Sequence, residues 1–541
     1  MSRAFLHVAG TIPGNRLSCR WGGQADCTYG NGPAQNGVGM THFRVESDAM
    51  SSQQSIPHHD VAIIGSGFSG LGMAVNLMKA GRNDFVLFEK EHDVGGTWLV
   101  NHYPGAACDV PSHLYSFSFE PNPKWSRMFS PQPEILRYLK HCADKYGVSQ
   151  RVRYNSEIVE CRWNEEKQHW AIRAADGYQI TARVMVSAIG GLSRPAMPRV
   201  PGLSNFKGTV FHSAEWNHDY DLTGKRVAVI GTGASAIQFV PQIVKQVGQL
   251  NLFQRTPPWI VPKADGSMAS GIKAAFTGIP GLQKLLRAAI YWQNEAFALG
   301  FVNPRLMKAF ELIAKWHISR QVKNKELRAK LTPNYTIGCK RVLLSNNYYP
   351  ALTKPNVNVI ASGVSAVREH SVVDSEGREY EVDAIICGTG FDVADPLGPL
   401  RIFARGGKEV HKDIYPEGLN AYMGITMHEL PNAFFLLGPN TGLGHTSIIF
   451  MIEAQINYIM QALAAMDSRK ARVMEVKQDV QDAFNHKTQE SLKKMVWGAG
   501  GCKSWYVDEQ GRNLTLWPGF TWKYWLDTRK LNVRDFTLGK A

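Results

Sequence analysis

The chain has 541 residues, too many for one compact core, so about three structural units are expected. Its 44% hydrophobic and 20% charged residues describe an ordinary globular protein and exclude a wholly disordered or collagenous one. The net charge of +14 comes from scattered Lys and Arg without a long basic block, which argues against nucleic acid as a partner and suits a polyanionic cofactor or simple solubility.

Residues 1–55 are rich in Gly, Asn, Ser and Gln, with no sustained periodicity and no apolar signal-peptide core, and read as a disordered N-terminal extension. Met40 and Met50 are plausible alternative starts. The first convincing strand is Asp60-Val-Ala-Ile-Ile64, a β-branched apolar run suited to a buried parallel sheet. It enters Gly65-Ser-Gly67-Phe-Ser-Gly70 and then a helical pattern through Leu71, Ala74, Val75 and Met78. In such a turn Gly65 permits the tight bend, Gly67 lets backbone N–H groups approach a pyrophosphate, and Gly70 lets helix and strand pack closely. The next strand, Phe85-Val-Leu-Phe88, ends at Glu89, 19 residues after Gly70, the spacing of a carboxylate that accepts from a ribose diol.

The pattern recurs. Arg226-Val-Ala-Val-Ile230 feeds Gly231-Thr232-Gly233-Ala234-Ser235-Ala236, and a helix follows through Ile237, Val240 and Ile243, with the loop residues and Gln238 in its first turn expected at the cofactor. Its second strand, Gln249–Phe253, leads to Arg255, again 19 residues past the last small residue. A carboxylate there would repel the 2′-phosphate of NADPH, whereas a guanidinium takes it bidentately. The first site therefore suits a 2′-hydroxyl nucleotide and the second NADPH, and the pair implies hydride transfer from NADPH to a bound flavin, FAD. The eight cysteines include no C-x-x-C pair, so they read as reduced thiols of a cytoplasmic protein, with no metal site expected. The apolar stretch 447–466 is interrupted by Glu453, Gln455, Asn457 and Gln461, so no transmembrane segment is expected.

Two longer motifs resemble the class B flavin monooxygenases, Baeyer-Villiger (type I) branch. Phe206, Gly208, His212 and Trp216 match F-x-G-x3-H-x3-W-[PD], with Asn217 standing where Pro or Asp is usual; Trp216 favours the Baeyer-Villiger branch. Gly95, Gly96, Trp98, Tyr103, Pro104, Gly105 and Asp109 match [AG]-G-x-W-x4-[FY]-P-[GM]-x3-D. Gly338-Cys339-Lys340-Arg341 is similar to the family segment holding the active-site arginine, and Cys502-x-Ser504-Trp505-Tyr506 to its C-terminal lid. The resemblance spans about 57 to 536.

It implies an α/β architecture of two Rossmann-like dinucleotide-binding domains: an FAD domain of 56–205 and 388–541, and an NADPH domain of 206–387 with a helical insertion at 267–331. The implied reaction inserts one oxygen of O2 beside a ketone carbonyl through a C4a-peroxyflavin, forming an ester or lactone. Alternatives are N- or S-oxygenation of a small-molecule amine or sulfide, or an uncoupled NADPH oxidase. Arg341 is the expected catalytic cation and Asp109 its holder, although each alone reads equally as a surface or turn residue. Lys340 and Thr256 are expected around the 2′-phosphate with Arg255. Thr97, Trp98 and Tyr115 line the flavin or serve as ordinary core. Trp505 stacks near the nicotinamide or fills a hydrophobic lid. His212 reads as packing rather than as a base. The insertion, with Leu285, Ile290, Trp292, Phe310, Ile313 and Trp316 at helical spacing, shapes substrate access, forms a structural cap, or meets a membrane surface.

Overall fold

The computed structural model describes residues 55–540 apart from 304, 393–396, 500–505 and 509, together with three strands within 11–29. Those strands, Thr11–Ile12, Asn15–Gly22 and Gln24–Tyr29, pair antiparallel in order, which corrects the expectation that 1–55 is a disordered extension throughout. The alternation of Leu17, Cys19 and Trp21 with Ser18 and Arg20 is a period-two pattern that bulk composition hides. This stretch is a compact unit separate from Ile56–Ala541.

Ile56–Ala541 is organised by two sheets. The larger, of eight strands, runs in the order Arg401–Phe403, Ile158–Asn164, His169–Ala174, Gln179–Ser187, His58–Ile64, Phe85–Phe88, Val152–Arg153, with Ala433–Phe435 also pairing to Gln179–Ser187. Its half around His58–Ile64 is parallel, and an antiparallel meander forms the other half. The smaller sheet is all parallel, in the order Thr209–His212, Ala384–Cys387, Arg226–Ile230, Gln249–Phe253, Val357–Ile360. Both are covered on two faces, which is why Val61–Ile64 and Val227–Ile230 are continuous apolar runs, all buried. Two linkers join the sheets and run together: Ala196 N–H donates to the Gly390 carbonyl (2.9 Å) and the Thr389 hydroxyl to the Ala196 carbonyl (2.6 Å).

Four helices, Ser270–Gly278, Leu282–Val302, Met307–Gln321 and Lys325–Leu331, lie between strands of the smaller sheet. Ile448–Ser468 is, among the described residues, the one helix long and apolar enough to cross a membrane. It is mostly buried, and a Cβ at Gly72 would stand 2.9 Å from its Ile456, so it packs tightly on the helix Phe68–Lys79. Cys108, Cys142, Cys161 and Cys387 are free and buried, but Cys339 is disulfide-bonded. That corrects the expectation of reduced thiols throughout; pairing depends on distance in space, which the absence of C-x-x-C does not address.

Candidate active site

The two glycine loops have the same geometry. Gly65 and Gly231 take left-handed φ values of +102° and +107°, and each amide donates across to the next strand, to Phe88 and Phe253. A side chain is excluded twice over, because a Cβ on Gly65 would meet the Ala188 carbonyl oxygen at 2.6 Å and one on Gly231 the Gly388 oxygen at 2.4 Å. A Cβ on Gly70 would stand 1.8 Å from the Gly65 carbonyl oxygen, so helix and loop can approach only with glycine there.

The helices that follow, Phe68–Lys79 and Ala236–Ile243, begin without a side-chain cap. Their first-turn N–H groups are the kind of donors a pyrophosphate satisfies. Gly233 has open space where a Cβ would be, Ala234 beside it is exposed, and Thr232 and Ser235 are half-buried. Glu89 is buried at the end of its strand, and its carboxylate accepts from the Ser66 amide (2.9 Å) and hydroxyl (2.5 Å), so the acidic group stands at the first loop. Arg255 is exposed beyond the second loop, its side chain over Gly363. Lys340 lies close enough that its pKa is lowered, by burial first and then by the Arg255 charge. Two cations converging this way suit a doubly charged phosphate. Thr256 joins them through its carbonyl, which the Thr232 hydroxyl reaches at 3.5 Å. These residues fit two dinucleotides, the second carrying a 2′-phosphate.

The segment 95–109 ties the loops to the candidate catalytic pair. Gly96 lies against Gly67, whose Cα is 2.9 Å from where its Cβ would be. Thr97 opens the short helix Thr97–Val100, and the buried Trp98 donates its indole N–H to the Tyr115 hydroxyl (3.1 Å). Further on, the Tyr103 hydroxyl donates to Gln238 Oε1 (2.8 Å), and Gln238 Nε2 donates to the Ala107 carbonyl (2.9 Å). Gln238, expected at the cofactor, is thus engaged with this segment. At its end Asp109 Oδ2 accepts from both Nε (2.9 Å) and Nη2 (2.6 Å) of Arg341.

Arg341 Nη1 turns to the Leu443 carbonyl at 3.4 Å. The Asp109 charge raises the Arg341 pKa above its ordinary value despite burial, so the guanidinium is permanently cationic. For Asp109, burial pushes upward, but the charge and hydrogen bonds of Arg341 and then Lys263 outweigh it and hold the carboxyl below its usual range. Tyr506 is buried and its pKa is raised by burial, opposed by its interaction with Arg341. Beside the pair lies an apolar cluster of Trp259, Phe301, Met307, Ile337, Trp497 and Tyr506, in which Phe301 stacks on Trp497 at 5.2 Å. Insertion and C-terminal region therefore meet next to Arg341.

His212 is fully buried, and its Nδ1 accepts from the Ala214 amide (3.1 Å), capping a short turn. Trp216 packs between Phe211 and Phe239, and a Cβ on Gly208 would meet the Asp383 carbonyl oxygen at 2.3 Å. The fingerprint is therefore a packing device at the edge of the smaller sheet. Asn217 accepts from the Asp219 amide at 3.0 Å, the turn an aspartate would make equally well. Trp505 lies outside the described residues. Sequence reasoning missed the contact of Tyr506 with Arg341, which position within a lid motif does not reveal, and the bridging by Gln238.

The model of the family described as "Flavin-binding monooxygenase-like" matches residues 58–271. A Baeyer-Villiger monooxygenase of Pseudomonas aeruginosa is 52% identical over 495 residues, covering 91% of this chain and 94% of that protein. The solved structure of cyclohexanone monooxygenase from Rhodococcus sp. Phi1 bound to NADP+ is 26% identical, with a TM-score of 0.81 over 90% of this chain and all of that one. A second solved structure, of OTEMO in complex with FAD and NADP, is 25% identical with a TM-score of 0.80 at the same coverage.

Proposed function

The chain belongs to the Baeyer-Villiger monooxygenases, within the class B flavin monooxygenases, and is an NADPH-dependent flavoprotein monooxygenase; we propose that its chemistry is centred on Arg341 as Asp109 holds it. In this reading FAD lies along the loop Gly65–Gly70 with its adenosine ribose at Glu89, near Thr97, Trp98 and Tyr115. NADPH lies along Gly231–Ala236 with its 2′-phosphate between Arg255, Lys340 and Thr256. The larger sheet with 388–541 then forms the FAD domain, and 206–387 the NADPH domain with its helical insertion. When bound, the flavin would supply the redox chemistry, taking electrons from NADPH and activating O2 so that one of its oxygen atoms can be transferred.

The protein's part is positioning and charge. As the carbonyl carbon of a small-molecule ketone is attacked, negative charge develops on its oxygen, and a fixed guanidinium stabilises that charge without giving up a proton. Asp109 binds Nε and Nη2 through one oxygen, which fixes the plane of the fork. The cluster of Phe301, Met307 and Trp497 excludes water and offers an apolar wall for a ketone's hydrocarbon part.

The Arg341–Asp109 clamp is the observation that carries this reading over N- or S-oxygenation, because an electrophilic oxygen transfer to a soft nucleophile needs no such cation. The test is purified protein with NADPH, isotopically labelled O2 and a panel of ketones and sulfides, products identified by mass spectrometry. Ester or lactone carrying one labelled oxygen is expected; sulfoxide from sulfides with no ester from any ketone would overturn the assignment.

A further inference from the structure

The helix Leu282–Val302 is built inside out. Its inward face carries Gln283, Arg287, Asn294 and Glu295 beside Ile290 and Phe301. Gln283, Arg287 and Glu295 are satisfied within the protein. Arg287 donates to the carbonyls of His113, Leu114 and Ser116, and Gln283 to that of Asn122. Glu295 accepts from the amide and hydroxyl of Thr521. The outward face, at the seven-residue spacing that keeps side chains on one side of a helix, is Leu285 (69% exposed), Trp292 (59%) and Leu299 (50%). A helix on a water-facing surface has the opposite arrangement.

The neighbouring elements also expose apolar side chains, and Phe297 of this helix meets Phe310 of the next at 5.4 Å. On Met307–Gln321 the exposed residues include Leu312, Ile313 and Trp316, with Lys308, Lys315 and Arg320 also exposed and Arg320 over the Trp316 ring at 5.4 Å. Helix Thr521–Thr528 starts against Glu295 and exposes Trp522, Trp525 and Leu526, with Arg529 over Trp525 at 5.1 Å. Residues 267–331 hold eleven Lys and Arg against three Glu, a net +8 out of +14 for the chain. Outward aromatic and aliphatic side chains interleaved with cations are what a helix needs to lie in the headgroup region of an anionic membrane.

We propose that this face docks on an anionic lipid bilayer, with Leu285, Trp292, Leu299 and Trp316 at the acyl boundary and the cations on lipid phosphates. A second copy of the chain is disfavoured as the occupant, since it would bring two strongly basic faces together. If the proposed function holds, the arrangement also explains why Phe301 and Met307, on the same insertion, reach the cluster beside Arg341: a lipophilic ketone dissolved in the bilayer would have a short route to it.

The experiment is flotation of the FAD-loaded full chain with vesicles of phosphatidylcholine alone and of phosphatidylcholine with phosphatidylglycerol. Binding to the anionic vesicles about tenfold or more tighter than to the neutral ones, weakening with added salt, is expected. The variant Leu285→Ser/Trp292→Ser/Trp316→Ser should lose that binding while turning over a water-soluble ketone as before. Should that variant fail to fold, Lys308→Glu/Lys315→Glu provides the same comparison through charge. Binding to neither vesicle, equal binding to both, or undiminished binding by the variants refutes the proposal. So does a dimer in sedimentation velocity that the apolar variant dissociates, which would assign the face to self-association. Vesicle binding without any ester formation would instead sink the functional reading and leave this one standing.

Discussion

Arg341 and Asp109 are 232 positions apart, and the guanidinium gives two N–H bonds to a single carboxylate oxygen. If the cation stabilises charge on the ketone oxygen, Arg341→Ala should slow ester formation by about a hundredfold or more while FAD stays bound, a cost on the order of 3 kcal/mol or more in the oxygenation step. Arg341→Lys should recover only part, because an ammonium keeps the charge and loses the fork. Asp109→Ala should show a milder form of the defect, since it positions the cation without touching substrate. Turnover of ketone to ester and of sulfide to sulfoxide in each variant checks this; undiminished ester formation by Arg341→Ala would contradict it. A second residue couples the insertion to pH. The His113 ring is buried against Gln283 (3.1 Å) and Phe276, and burial, with Arg287 adding to it, pushes its pKa down to about 4. The folded protein thus holds it neutral while the unfolded chain protonates near 6.5. The stability it contributes is complete above pH 6.5 and is lost as pH falls from there towards 4. The melting temperature should drop over that window, by the equivalent of at most about 3 kcal/mol, and His113→Gln should flatten the drop. A His113→Gln profile that overlays the wild type would exclude this histidine as the cause.

At the scale of elements, the strand–loop–helix units make unequal demands on their glycines. Gly70→Ala should unfold the first loop or prevent FAD uptake, because its Cβ would lie 1.8 Å from a backbone oxygen. Gly233→Ala should leave the melting temperature and FAD content intact, since nothing lies within 4 Å of the new carbon, yet raise KM for NADPH by filling the approach to the pyrophosphate. Thermal melts, flavin absorbance and NADPH kinetics separate the two; an unstable Gly233→Ala would show that the second loop is packed rather than open. These loops could be read from the sequence because a parallel strand, a glycine turn and a helix follow one another within a few tens of residues, each with its own period. The Arg341–Asp109 contact could not be derived that way, as no local pattern links positions so far apart, and only motif resemblance suggested it. The contacts of Gln238 with Tyr103 and Ala107 were not legible either, because its position after the glycine turn says nothing of residues that come from the other half of the fold. In the insertion, helical spacing was legible but its direction was not: Leu285 and Trp292 face out and Ile290 in. Periodicity identifies a stripe, and only packing decides which medium it meets.

For the whole molecule, the segment 95–109 touches the first glycine loop at Gly67, the second Rossmann helix at Gln238 and the candidate catalytic cation at Arg341. Three parts of the chain far apart in sequence thus share one short connection. A ligand that fills the first loop buttresses the segment's start at Gly96, so its binding free energy should appear as stability of the assembled protein. Removing FAD should lower the melting temperature by a few degrees, and adding it back at a hundred times its Kd should restore about 2.7 kcal/mol. FMN should not substitute, because Glu89 is placed at the end of the second strand, where an adenosine ribose would lie and where FMN has no corresponding group. Differential scanning fluorimetry of the stripped protein with each flavin reads this directly. Equal recovery with FMN would mean that the isoalloxazine and its single phosphate account for the stabilisation, and would remove the argument that Glu89 recognises a ribose at all.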